Sequence, residues 1–165
     1  MSSKKKAQDL LGRTSCILCG SEKLSVVAVI DKDGIPPGER GHNIGYYHVM
    51  LAQCQSCGCG LLERLDHDCF DFDSVFDQYE WYLLERSDIT KLMRNFQSCP
   101  NLMRYNCDCT IHDSLRSSID SLPKNPWRWA LEDDLHVHRI SVTWAKEFPI
   151  LFKVTEDKKR QRKTK

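Results

Sequence analysis

Two Cys-x-x-Cys-Gly units constrain this chain more than any other feature: Cys16-Ile17-Leu18-Cys19-Gly20 and Cys54-Gln55-Ser56-Cys57-Gly58. Each sets two thiols on one tight turn, and the closing glycine lets the backbone fold back beneath them. Two such turns deliver four thiolates, the set that closes a tetrahedral zinc ion. The competing reading is a redox dithiol, which wants a helix directly after its motif. Here Cys19 leads into Leu24-Ser25-Val26-Val27-Ala28-Val29-Ile30, a β-branched apolar run that reads as a strand. Structural zinc on Cys16, Cys19, Cys54 and Cys57 is therefore expected. Cys59 is a substitute ligand if the second turn is read as Cys57-Gly58-Cys59.

The segment between the two units has its own punctuation. Asp31-Lys32-Asp33-Gly34 signals a turn, and Ile35-Pro36-Pro37-Gly38-Glu39-Arg40-Gly41 extends it into an irregular loop. Ile44 to Ala52, with Tyr46, Tyr47 and Val49, reads as a partner strand that ends on the second unit. The order is knuckle, strand, loop, strand, knuckle. An antiparallel hairpin would bring the two knuckles together. Over residues 16–60 this arrangement resembles the zinc-ribbon proteins, whose rubredoxin-like CxxCG knuckles are joined by a β-hairpin. The resemblance implies a metal-stapled hairpin but no single activity, since ribbons serve transcription factors, ribosomal proteins, enzymes and adaptors alike. The stretch from Cys19 to Cys54 is longer than the common finger spacing, and the Pro-Pro-Gly loop absorbs the difference.

Nine cysteines in 165 residues is a high and odd number. Met1 to Arg13 lacks the apolar core of a secretory signal, so the CxxC pairs read as metal ligands or redox thiols rather than a disulfide framework. A cytoplasmic or otherwise intracellular setting is expected. No run approaches the roughly 18 apolar residues of a membrane span. Cys69 reads as a small buried apolar residue.

The net charge of +1 conceals segregation. Residues 63–88 hold nine acids against Arg64 and Arg86, whereas residues 153–165 hold seven bases against Glu156 and Asp157. Lys4, Lys5 and Lys6 make the other end basic. Residues 1–13 are expected to be flexible, and 155–165 to be a disordered basic tail.

Downstream of the second knuckle, Gly60 to Leu65 suggests a third strand and Asp66 to Asp73 an acidic loop. Tyr79 to Glu85 suits strand or helix. Ile89, Leu92, Met93 and Phe96 make an apolar stripe behind Ser87 as N-cap, which predicts a short helix. A second helix runs to about Leu122 with Ile111, Leu115 and Ile119 on its apolar face, and Pro123 ends it. Strands are expected over Leu135–Ala145 and Phe148–Val154, the last at an edge because of Pro149.

A second cysteine cluster lies among these elements. Cys99, Cys107, Cys109 and His112 have ligand types that suit zinc, though no paired CxxC supports them. His136 and His138 share a strand face near Glu132, Asp133 and Asp134, but no third ligand is placed by spacing. No phosphate-binding glycine loop, GxSxG or HExxH is present.

These features predict an α+β fold: a zinc-ribbon hairpin (14–62) extending into a mostly antiparallel sheet with two or three short helices, within one unit spanning 14–154. One zinc is expected and a second is a candidate. The expected role is a non-catalytic protein-interaction module, an adaptor, inhibitor or regulatory protein. Its protein partner would be met by the acidic, aromatic segment 66–85, where Phe70, Phe72, Phe76, Tyr79, Trp81 and Tyr82 interleave with carboxylates. The alternative is nucleic-acid binding through the basic termini. A metal-dependent hydrolase or thiol redox enzyme comes third.

Overall fold

Strands in this chain follow its β-branched and aromatic runs, and their alternation sorts side chains onto two faces of one sheet. The computed structural model describes residues 3–34, 45–71, 74–123, 137–143 and 151–155. It is a mixed α+β structure. Six strands lie in sequence order: β1 (Leu24–Gly34), β2 (Gly45–Cys54), β3 (Gly60–Asp71), β4 (Ser74–Leu84), β5 (Val137–Thr143) and β6 (Leu151–Val154). All neighbours are antiparallel except β4 and β5, which run parallel. A parallel join needs a crossover. The connecting residues include α2 (Arg86–Asn95), a single 3-10 turn (Phe96–Ser98) and α3 (Thr110–Asp120).

Adjacent residues of β2 and β3 face opposite cores. Val49, Leu51 and Leu62 join Tyr82, Ile140 and Phe152 in one core, which Ile89, Leu92 and Phe96 and then Ile111, Leu115 and Ile119 cover. Fully burying each such aliphatic or aromatic side chain contributes about 1.5–3 kcal/mol. Met50, Ala52 and Leu61 enter the other core with Val26, Trp81 and Leu83. There α1 (Ser3–Leu10) contributes Ala7, with Leu11 just beyond it.

That helix differs from the expected flexible N-terminus. Lysines dominate its composition and hide Ala7 and Leu11, the two residues that bury. The third strand also runs farther than expected: 66–71 continues β3 instead of forming an acidic loop, and 74–84 is strand, which resolves the strand-or-helix ambiguity. Acidic residues fit there because Asp66 and Asp77 stay partly exposed at the sheet surface. Ser87 is not the cap of α2. The helix begins at Arg86, and Glu85 holds the cap position without a side-chain cap bond. The two late strands fall within the expected ranges, at Val137–Thr143 and Leu151–Val154, and residues 135–136 and 144–150 lie outside the described residues. The predicted loop at 35–41, the aromatic segment near Trp127 and the basic tail from 156 fall outside the described residues, as do the side chains of Cys69, Phe70, Phe72 and Phe76.

β1 lies at one edge of the sheet, where unpaired backbone groups would invite another strand. Other parts of the chain occupy them. The Gln8 side chain donates to Leu24 O (3.1 Å) and accepts from Val26 N (2.8 Å), so its amide imitates a neighbouring strand. Farther along, Val29 N donates to Leu102 O (2.8 Å). Register shifts in β1 between Val26 and Ala28, and between Val29 and Asp31, mark bulges on either side of Val29.

Candidate metal centres

The two CxxCG turns fold alike. Cys16 N donates to Ser21 O (2.8 Å) and Cys54 N to Cys59 O (2.9 Å). Gly20 N returns to Cys16 O and Gly58 N to Cys54 O, each at 2.9 Å. Both glycines take left-handed backbone, with φ of 73° and 78°. A side chain there would meet the strain that L-residues suffer in this region. At Gly58 it would also come within 3.0 Å of Arg86 Cδ. The register of β1 against β2 pairs Leu24 with Cys54 and so sets the turns side by side. Ser21 Oγ and Ser56 Oγ join them at 2.7 Å, and Gln55 N donates to Lys23 O (2.9 Å).

Cys16, Cys19, Cys54 and Cys57 thereby converge, with all four Sγ atoms within 4.8 Å of one another. Cys16–Cys57 and Cys19–Cys54 are each 3.7 Å apart. The thiols do not ionise alike. Burial opposes ionisation of Cys16, but the backbone N–H groups of Cys19 and Leu18 and the thiols of Cys59 and Cys57 bring it down to about 6. Cys54 is lowered by the same kinds of contact against its burial. For Cys19, the Ser21 backbone pulls downward, but burial and the other thiols push it up to about 11. Cys59 is a fifth thiol beside this set, 3.4 Å from Cys16 Sγ and 3.3 Å from Cys57 Sγ. Burial and then Cys57 and Cys16 push its ionisation up.

The second cluster assembles as well. Cys99, Cys107, Cys109 and His112 also place one ligand atom each within 4.8 Å of the others. Cys99 follows the 3-10 turn, while Cys107 and Cys109 lead into α3, whose first turn carries His112. His112 Nε2 lies 3.2 Å from Val29 O. A carbonyl can only accept, so this nitrogen carries the proton and Nδ1 keeps its lone pair. Nδ1 sits 3.3 Å from Cys99 Sγ and 3.4 Å from Cys109 Sγ. A carbonyl partner that fixes the tautomer is the usual outer support of a metal-binding histidine. Cys109 is brought down to about 6: burial opposes this, while the His112 backbone and ring and the two other thiols favour it. Burial and its thiol neighbours push Cys99 up to about 12. Arg116 Nη2 donates to Cys107 O (3.0 Å) and fastens the loop to α3.

Of the third candidate's residues, only His138 is among those described; His136 lies outside them. His138 stacks on Tyr82 at 5.3 Å, with Nε2 3.9 Å from Glu80 Oε2.

One buried polar constellation escaped the sequence reading. Glu63 is fully buried, yet it accepts from Gly12 N (2.9 and 3.0 Å), His48 Nε2 (2.9 Å) and Trp81 Nε1 (2.9 Å). His48 Nδ1 in turn meets the Tyr46 hydroxyl at 3.0 Å. Its partners come from the segment after α1 and from β2 and β4, so no local motif announces it.

No protein-family model, curated protein or solved structure matches this chain. No helix among the described residues is long and apolar enough to cross a membrane.

Proposed function

We propose that the chain is a non-catalytic, zinc-stabilised protein-interaction module, with zinc at both cysteine clusters. The observation that carries this reading is the closure of both ligand sets, four atoms within 4.8 Å in each. Zinc–sulfur bonds of about 2.3 Å in a tetrahedron put sulfurs about 3.8 Å apart, and a zinc–nitrogen bond of about 2.0 Å puts nitrogen about 3.5 Å from sulfur. The observed 3.7 Å sulfur pairs at the first cluster and the 3.3 and 3.4 Å nitrogen–sulfur contacts at the second support that fit. A zinc-ribbon hairpin is the corresponding reading of residues 16–60. Four protein ligands leave no coordination position for water, which supports a structural role over hydrolysis.

The partner surface is assigned to segment 66–85. Trp81 and Tyr82 are buried, so the contact falls to the segment's solvent-facing carboxylates: Asp77, which shares a face of β4 with half-buried Tyr79, Asp66 on the opposite face, and Glu85 just past the end of β4. Such carboxylates suit a basic partner surface. Two measurements test the proposal. Elemental analysis of the purified chain should give two zinc ions per molecule; a value near zero would sink the metal reading. Affinity capture should enrich a protein with wild type and lose it with Asp66→Lys/Asp77→Lys/Glu85→Lys. Equal capture by both chains would remove the assigned surface.

A further inference from the structure

The second knuckle carries a thiol that its fold does not require. Ser21 and Cys59 occupy equivalent places, each offering its carbonyl to the first cysteine of its turn. Serine serves in the first knuckle, where its hydroxyl turns to Ser56. The second has cysteine, and its side chain turns inward to the ligand sulfurs. Cys59 is 3% exposed, whereas Cys57 is only half-buried. Cys16, Cys57 and Cys59 form a triangle of sulfurs with sides of 3.7, 3.4 and 3.3 Å. One side is the ligand edge Cys16–Cys57, and Cys59 sits against both of its ends.

We propose that Cys59 is a fifth, interchangeable ligand of the first centre, which replaces Cys57 on the metal and frees the Cys57 thiol without metal loss. The inference rests on the zinc reading of that centre. In the exchange, Cys59 Sγ gives up its proton and bonds the metal, while the metal–Cys57 bond breaks and Cys57 Sγ takes up a proton. The number of metal–sulfur bonds and the total charge are unchanged, and no oxidant is consumed. The contact geometry fits the exchanged state, because the Cys57 thiol is placed to donate to Cys59 Sγ. Cys54 ends β2 and Cys59 immediately precedes β3, so the exchanged set Cys16, Cys19, Cys54 and Cys59 is tied to the sheet at two points. Cys57 is then a thiol at the surface, open to modification by electrophiles.

Native mass spectrometry of the full chain after expression with zinc tests this. Wild type, Cys57→Ser and Cys59→Ser should carry the same number of zinc ions, and Cys57→Ser/Cys59→Ser one fewer. Loss of one zinc in Cys57→Ser alone would overturn the proposal, as would full retention in the double variant. Cys16→Ser/Cys19→Ser separates the two levels: if it leaves the zinc count of wild type unchanged, the first centre itself is misread. A measurement on wild type needs no variant to fold. Brief iodoacetamide treatment of the zinc-loaded chain, followed by peptide mapping, should label Cys57 with zinc retained. Absence of label at Cys57, or labelling that expels zinc, would overturn the exchange.

Discussion

Glu63 shows how much a single residue can decide. A buried carboxylate is costly unless it is fully paired, and this one is met by a backbone N–H, an imidazole and an indole. Glu63→Gln keeps the shape but turns an amide N–H toward one of those donors. The expected loss is about 2–4 kcal/mol in chemical denaturation. A change below 1 kcal/mol would show that the constellation is not a structural anchor. Arg64, the next residue, faces the opposite core and is treated differently. It lies over the Tyr47 ring at 5.4 Å and 3.8 Å from Asp66, with Nε and Nη1 buried and without a hydrogen-bond partner among the described residues. Buried phenols give a pH signature. Burial pushes Tyr47 and Tyr79 up to about 12 and raises Tyr82 further. An unfolded tyrosine ionises near pH 10. Their contribution to stability is therefore complete below about pH 10 and is lost as pH rises toward 12, because the unfolded chain deprotonates first. Denaturation at pH 9 and 11, with tyrosinate absorbance followed alongside, checks the sign. The Glu63 and Tyr47 partnerships could not be read from the sequence, because they join residues that only the register of β2, β3 and β4 and the return of Gly12 bring together.

Elements were more readable where a local rule governs them. The hairpin between the CxxCG units, the apolar stripes of α2 and α3 and the stop at Pro123 all follow from spacing and turn chemistry. The misjudged elements were decided by tertiary contact instead. α1 is held by Gln8 on β1 and by Gly12 on Glu63. β3 continues through acidic residues because β2 and β4 pair with it on both sides. The four residues of the second cluster stand out in the sequence by residue type, but their role in the architecture became visible only through Val29. His112 and Leu102 occupy both backbone groups of that edge residue. Breaking the cluster with Cys107→Ser should therefore speed hydrogen exchange at the Val29 amide, by about tenfold for each 1.4 kcal/mol of local stability lost. The Met50 amide, inside the sheet, serves as the internal reference. Equal acceleration at both positions would mean global loosening rather than an uncovered edge.

At the scale of the whole molecule, the sheet order equals the chain order, yet the six strands are not reached equally. β1 to β4 form a meander joined by nearby segments. β5 pairs with β4 only after residues 85–136, which include α2, α3 and the second cluster, have passed. Loop-closure entropy rises with the length enclosed, and non-local pairing slows folding. The parallel join therefore divides the folding reaction in time: the meander gains its hydrogen bonds early, and the last two strands wait for the crossover to settle. Pulse-labelled refolding with zinc present should protect Leu51 and Leu62 before Ile140 and Val142. Simultaneous protection would place the crossover in the folding nucleus. On the expected sequence of events, a nascent chain passes through a state with its first four strands formed and the outer edge of β4 still open. That short-lived edge is the place where this protein is most exposed to misassembly during its synthesis.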